Sequence, residues 1–194
     1  MTEKGPASDH EMVLAFLRAE LDSRRFGHLY EAALRMMRRD RALIDAADLT
    51  LPAENEARRG LLGAIRGYQR NSYLFTGFPA DVIWRRVEID RSDFPRLRYA
   101  NEATWLLLSG GTRSVIDGAR NVHSVPTEGA ANILAVAAEV RRGKHYPDII
   151  AIEKGNEIVV MEGHTRITAY VLVEQEPIEL LIGTSASLKN WKYI

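Results

Sequence analysis

Residues Val159–Tyr170 read V-V-M-E-G-H-T-R-I-T-A-Y and contain the change of pattern that decides the fold. The β-branched run before Glu162 predicts a buried strand, and the residues after Gly163 have the composition of a helix. A glycine between a strand and a helix leaves the backbone N–H groups of the first helical turn without intrahelical partners. Anions, above all phosphates, bind at this positive end of a helix. His164 and Arg166 add a titratable donor and a permanent bidentate cation.

The same residues also have a purely structural interpretation. Gly163 can supply the backbone freedom that the turn needs, and Thr165 can cap the helix. Arg166 can pair with a surface carboxylate. The spacing of the residues alone does not separate this interpretation from an anion site.

The string that begins at Met161, M-E-G-H-T-R-I-T-A, resembles the signature turn of the ParB/sulfiredoxin superfamily. In that turn a strand is followed by [D/E/G]-G-x-[H/R]-R or a close variant, and then by a helix rich in small residues. Members include the nucleotide-binding domain of ParB, sulfiredoxin and the free serine kinases, which share a nucleotide phosphate on this turn. The resemblance implies that Gly163 admits the phosphate, that Arg166 clamps it, and that His164 and Thr165 are the variable pair of binding residues.

The resemblance covers about residues 147–183, and two features of the chain limit what it implies. Thr165 stands where the kinases and sulfiredoxin carry His and where ParB carries Arg, so the activity of any one branch stays open. Sulfiredoxin chemistry needs a cysteine in the turn, and the chain has none. The Glu-Gly-His-x-Arg form of the turn is nearest to the kinase branch.

The leading functional hypothesis is therefore an enzyme that binds ATP or ADP with Mg²⁺ and transfers a phosphoryl group to a small molecule. Its catalytic candidates are Glu162 and His164. A carboxylate at position 162 can hold Mg²⁺ or take a proton from an acceptor hydroxyl, and it can equally cap the amides of its own turn. The runner-up is a ParB-like switch in which CTP or another nucleotide gates binding to DNA or protein. A nuclease-like role comes third, because the acids form no recognisable signature.

A second glycine-rich loop, Ser109–Arg113, has the sequence S-G-G-T-R. Gly110, Gly111, Thr112 and Arg113 are candidates for a second anion-binding loop at the far end of a ligand. The loop lacks the Lys-Ser/Thr pair of a P-loop, and an ordinary loop at the end of a helix is the alternative. The histidines have no metal-ligand spacing, so no transition-metal site is expected.

Composition and charge set the remaining limits. The chain has 194 residues, of which 46% are hydrophobic and 27% charged, as in ordinary globular proteins. Its net charge is zero, and basic and acidic residues balance in both halves, so nucleic acid is a possible but unfavoured partner. The polar amino terminus shows no signal peptide, and no apolar run is long enough to span a membrane. Together with the absence of cysteine, these features predict a cytoplasmic protein that uses no membrane.

Two regions with different periodicity predict an α+β protein. Residues 1–74 form a helical region of about three helices: one capped by Ser8 or Asp9, one after Phe26-Gly27, and one from Pro52 to about Gln69. Residues 75–194 form a ParB/sulfiredoxin-like domain with a small mixed sheet. Its elements are a strand at 84–90, a short 97–99 segment, helices at 101–108 and 126–142, strands at 149–153, 157–161 and 178–182, and the helix that follows Gly163.

The arginines of the second predicted helix could form a face that binds nucleic acid. Arg35, Arg38, Arg39 and Arg41 lie largely opposite its apolar residues. Acidic residues are interleaved along the same helices, which favours a solvated charged face.

Overall fold

The computed structural model describes all 194 residues and contains one six-stranded mixed sheet and eight α-helices. The strands are β1 (Thr2–Ala7), β2 (Ile83–Ile89), β3 (Leu97–Arg98), β4 (Ile149–Lys154), β5 (Glu157–Glu162) and β6 (Ile178–Thr184). The helices are α1 (Asp9–Leu21), α2 (Gly27–Met36), α3 (Ala42–Asp45), α4 (Pro52–Arg66), α5 (Ala103–Leu108), α6 (Val115–Asn121), α7 (Glu128–Val140) and α8 (His164–Leu172). The predicted α+β class with a mixed sheet is confirmed.

The strands are ordered β1-β2-β6-β4-β5-β3 across the sheet. β1 and β2, β2 and β6, and β4 and β5 pair antiparallel, whereas β6 pairs parallel with β4 and β3 pairs parallel with β5. A tight turn at Gly155 joins β4 to β5, and α8 carries the chain from β5 across β4 to β6. The C-terminal end of β5, which Gly163 follows, therefore lies at the same end of the sheet as the first residues of β4 and β6.

Local sequence signals explain where the main helices begin and end. Ser8 caps α1 in a capping box with Glu11, and Thr127 caps α7 through the Ala130 N–H. Pro52 opens α4, which ends at Gly67 in the left-handed conformation, with φ of 85°. These boundaries agree with the sequence predictions to within a few residues.

Helices cover both faces of the sheet, because successive strand residues point to opposite sides. In β4, Ile150 and Ile152 pack into the core formed with α1–α4, whereas Ile149 and Ala151 pack into the core formed with α5–α8. The molecule thus has a helical layer from the N-terminal region, the sheet, and a second helical layer. None of its helices has the length and apolar character needed to cross a membrane.

The N-terminal region differs from its prediction in two ways. Thr2–Ala7 is an edge strand on β2, although its glycine and proline have low strand propensity; an edge position tolerates them because it needs fewer ladder hydrogen bonds. The region has four helices rather than about three, since the short α3 precedes α4. Through β1, part of residues 1–74 belongs to the same sheet as residues 75–194.

The second layer also differs from its prediction in two ways. The helix expected at 101–108 begins at Ala103, as α5. Helix α6, capped by Ser114, has no counterpart among the predicted elements. It has only seven residues, which is too short for helical periodicity to stand out in the sequence.

Candidate functional site

Gly163 adopts a conformation that only glycine accepts without strain. Its φ is 97°, and a Cβ on this residue would lie 2.9 Å from Arg166 Nη2 and 3.0 Å from Ile149 Cγ1. Gly163 is the N-cap of α8, and no side chain caps the helix. The predicted strand–glycine–helix turn is therefore present, with the first amides of α8 free of side-chain partners.

Arg166 folds back over this turn. The residue is 7% exposed, and its guanidinium packs directly against Gly163. Nη2 donates a hydrogen bond of 3.2 Å to Glu162 Oε1, which is the one protein partner that the side chain has. A guanidinium has several further N–H donors, so most of the hydrogen-bonding capacity of Arg166 is available to a ligand. The structure thus brings Glu162 and Arg166 together, and their ion pair is the contact that the structural interpretation expects of Arg166.

His164 is buried and neutral rather than a charged donor. Its ring stacks on Trp105 at 4.9 Å and 10°, and Nε2 accepts a long hydrogen bond of 3.4 Å from the Ala100 N–H. Burial, together with the positive charges of Arg66 and Arg166, lowers the pKa of His164 to about 3. The prediction of a titratable group at the phosphates is corrected in this respect: at neutral pH His164 carries no charge and orients the turn.

Thr165 is partly exposed on the first turn of α8, and its hydroxyl makes no hydrogen bond within the protein. The alternative role as a helix cap is not seen, since the cap residue is Gly163. The Thr165 side chain is therefore free at the surface of the turn.

The Ser109–Arg113 loop uses its polar groups internally. Arg113 Nε donates to the Tyr99 carbonyl at 2.9 Å, and burial lowers the pKa of this guanidinium. The hydroxyl of Thr112 donates to Asp117 at 2.7 Å, while Gly110 and Gly111 are exposed at positive φ. The cation and the Thr112 hydroxyl of the loop are therefore engaged with neighbouring chain segments.

The Ser109–Arg113 loop is connected to the Gly163 turn indirectly, through a stack of aromatic rings. Tyr99, whose backbone Arg113 holds, lies with its ring 5.0 Å from that of Trp105, which in turn stacks on His164. The Tyr99 hydroxyl is 2.7 Å from Thr168 Oγ1 on α8. The loop thus helps to position the beginning of α8.

A buried acid in the N-terminal layer is affected by the charge of Glu162, and sequence reasoning missed it. Glu20 of α1 is 3% exposed, accepts a hydrogen bond of 2.6 Å from the Tyr30 hydroxyl, and has Arg66 Nε at 3.4 Å. Burial raises the pKa of Glu20 to about 7, and the negative charge of Glu162 is the next largest cause. The sequence signal is the spacing: Met12, Phe16 and Glu20 recur every four residues on the buried stripe of α1.

A cavity of about 360 Å³ lies next to the turn, between α7, α8 and the beginnings of β4 and β6. Its wall includes Tyr146, Ile149, Tyr170 and Pro177. Ile149 also touches Gly163, and Tyr170 follows Arg166 by one turn of α8. The volume is in the range of small-molecule sites, and none of the residues from Glu162 to Arg166 lines this space.

The structure contains no group of three or more His, Asp and Glu residues that could hold a metal ion. Magnesium in phosphate chemistry is often bound by only one or two carboxylates together with substrate phosphates, and such a site needs no group of three protein ligands.

No known protein family, curated protein or solved structure matches this chain. The ParB/sulfiredoxin resemblance of the Gly163 turn therefore stays a prediction from the motif.

Proposed function

We propose that the protein is a ParB-like nucleotide-binding enzyme that holds the phosphates of ATP or ADP at the Gly163 turn and transfers a phosphoryl group to a small molecule. The observation that carries the proposal is the left-handed Gly163 with Arg166 folded over it. This arrangement aims an uncapped helix start and a largely unpaired guanidinium at one place. Both features stabilise the charge of a phosphate chain.

Glu162 is the acid–base candidate in this site. It accepts the acceptor's hydroxyl proton while the acceptor oxygen bonds to the terminal phosphorus, and the bond from that phosphorus to the bridging oxygen of the nucleotide breaks. Arg166, one turn away, neutralises charge on the phosphates. Bound Mg²⁺ would supply further neutralisation, with Glu162 as its one protein carboxylate. His164 positions α8 and transfers no proton.

The cavity behind Ile149 accommodates the rest of the ligands. It is lined partly by aromatic and proline side chains and partly by polar groups such as Asp148 and Gln175. Such a mixture suits a small organic molecule better than a second polyanion.

A panel of ATP, ADP, CTP and GTP, each with and without Mg²⁺, tests the proposal by thermal unfolding. Ligand at 100 times its Kd stabilises the native state by about 2.7 kcal/mol, which raises the Tm by roughly 5–10 °C for a chain of this size. Arg166→Ala is expected to abolish the shift. Arg120→Ala, which removes an exposed charge from α6, is the control and keeps it. Normal nucleotide binding by Arg166→Ala would refute the phosphate-turn assignment.

A nucleotide-gated switch is the second candidate, and the electrostatic coupling between the N-terminal layer and the turn favours it. The charge of Glu162 raises the pKa of the buried Glu20, so a phosphate bound beside Glu162 would change the ionisation of an acid in that layer. A preference for CTP, with no phosphoryl transfer to any acceptor and with a change in DNA or protein binding, would support the switch over the enzyme.

A further inference from the structure

We propose that the outer face of α2 is a docking surface for an acidic helical segment of another protein. Leu29, Ala32 and Met36 form this face and Met37 borders it at the end of the helix; we call these four residues the α2 surface. The proposal does not depend on nucleotide binding at the Gly163 turn, and it gives the N-terminal layer an interaction of its own.

The α2 surface is an apolar stripe that faces solvent. Tyr30 and Leu34 pack on the buried side of α2. Leu29, Ala32 and Met36 recur at intervals of three and four residues and therefore lie on nearly the opposite side of the helix. Leu29 is 43% exposed and Met36 is 87% exposed. The outer face of a helix with one buried side is normally polar, and apolar residues at this spacing are those by which a second helix packs.

The arginines around this stripe are largely unpaired. From residue 24 to residue 39 the sequence has five arginines and one acid, Glu31. Arg41 lies 3.8 Å from Glu31 and also binds the carboxylates of Asp22 and Asp45, so the interleaved acids are used by a single cation. Arg35 has only Glu31, at 4.0 Å. The other four have neither an ion pair nor a side-chain hydrogen bond: Arg24, Arg25, Arg38 and Arg39.

A groove of about 480 Å³ continues from the C-terminal end of α2. Its lining includes two of the unpaired arginines and three apolar residues, namely Arg38, Arg39, Ala42, Leu43 and Ala46. Asp40 and Glu54 also line it, but their carboxylates already accept hydrogen bonds from the Ala42 N–H and from Arg58. The groove therefore extends the basic and partly apolar character of the α2 surface.

Charge and composition select the partner. Arginine and methionine are enriched in protein–protein interfaces and lysine is depleted, and no lysine occurs between residues 24 and 39. Guanidinium groups bind carboxylates bidentately, so a helix with glutamate or aspartate beside its apolar residues matches both parts of the surface. A second copy of the chain would instead bring five arginines against five. Nucleic acid would place its phosphates around Leu29 and Met36 without covering them.

The probe for this proposal is a labelled synthetic peptide that forms an amphipathic helix, with leucine on one face and glutamate on the others. Fluorescence anisotropy should show that it binds the full chain, that added salt weakens the binding, and that the same peptide with lysine in place of glutamate does not bind. Met36→Asp should weaken the complex by about tenfold or more, as should the double variant Arg38→Gln/Arg39→Gln.

Two exposed residues on the other helical layer supply matched controls. Leu107→Asp places a charge on an apolar residue of α5 that is 62% exposed, and Arg120→Gln removes a surface cation from α6. Both variants should bind the acidic peptide as the unaltered protein does. Because all the substituted side chains are exposed, urea unfolding curves should show that every variant keeps its fold.

The same variants distinguish the other occupants. Failure of the acidic peptide to bind, or equal binding by Met36→Asp and the unaltered protein, overturns the proposal. Self-association that Met36→Asp abolishes, measured by sedimentation, would assign the surface to a second copy instead. Tighter Met36-dependent binding to duplex DNA, or to phosphatidylcholine vesicles containing phosphatidylserine, than to the peptide would likewise refute a protein partner.

Discussion

Glu20→Gln should change the pH dependence of stability, because the amide cannot ionise. The pKa of Glu20 in the folded protein is about 7, against an ordinary value of 4.5. Between these values the folded state retains a proton that the unfolded state has released, so stability falls as pH rises from about 4.5 to 7 and is constant above. At pH 8 the ionised Glu20 therefore lowers the stability of the unaltered protein, whereas the amide of the variant does not.

The size of the effect follows from linkage. At about 1.36 kcal/mol per pKa unit, ionising Glu20 in the folded protein costs roughly 3 kcal/mol at pH 8. Part of that cost is already present at pH 5. The expected change in the stability difference between the two proteins from pH 5 to pH 8 is therefore about 2.5 kcal/mol in favour of Glu20→Gln. Any pH-independent cost of the amide, such as a poorer contact with Arg66, cancels in this comparison.

Urea unfolding curves of both proteins at pH 5 and pH 8 measure this difference directly. Glu31→Gln, on the partly exposed surface of α2, controls for the loss of a negative charge from the same layer. A stability difference that is the same at both pH values, within about 0.5 kcal/mol, would show that Glu20 titrates as an ordinary exposed carboxyl. The account of the buried Glu20–Glu162 arrangement would then be wrong.

Two further predictions concern the turn itself. Gly163→Ala should lower the free energy of unfolding in urea by about 1–3 kcal/mol and abolish the ADP-induced Tm shift, because a methyl group at this positive φ would press on Arg166 and Ile149. The control is Gly155→Ala, also at positive φ but with open space around it, which should lower stability less and retain the shift. His164→Gln should reduce acid sensitivity. The pKa of His164 is about 3 in the folded protein against an ordinary value of 6.5, so the folded state is destabilised as the pH falls from 6.5 towards 3 and the unfolded state takes up the proton first. Between pH 7 and pH 4 the free energy of unfolding should therefore fall by about 3 kcal/mol more in the unaltered protein than in the variant.

Periodicity and caps located most of the long elements. α1, α2, α4, α7 and α8 were predicted, as were β2, β4, β5 and β6, because each has a clear apolar period and flanking glycine, proline or capping residues. β1 and α6 were not, since β1 is a strand only through its pairing with β2 and α6 is very short. Short elements that depend on tertiary contacts have little local signal.

Only the part of the candidate site that is local in sequence could be predicted. The Gly163 turn and its Arg166–Glu162 pair are local in sequence, so a motif reveals them. The neutral state of His164 depends on its burial in the folded protein, and the Glu20–Arg66 pair depends on how α1 packs against α4. Neither can be predicted from the spacing of residues within a short segment. An acid among the apolar residues of α1 does, however, indicate that Glu20 is buried.

The pairing of β2 with β6 has a consequence for how the protein folds. Ile83 is opposite Thr184, so the middle of the sheet cannot close until the last strand has been synthesised. Contacts between residues so far apart in the chain slow folding, because much chain entropy is lost before they form. The apolar residues by which α1 packs on β2 and β4 stay partly uncovered during that interval. A nascent chain of this protein should therefore depend on protection from aggregation until β6 arrives.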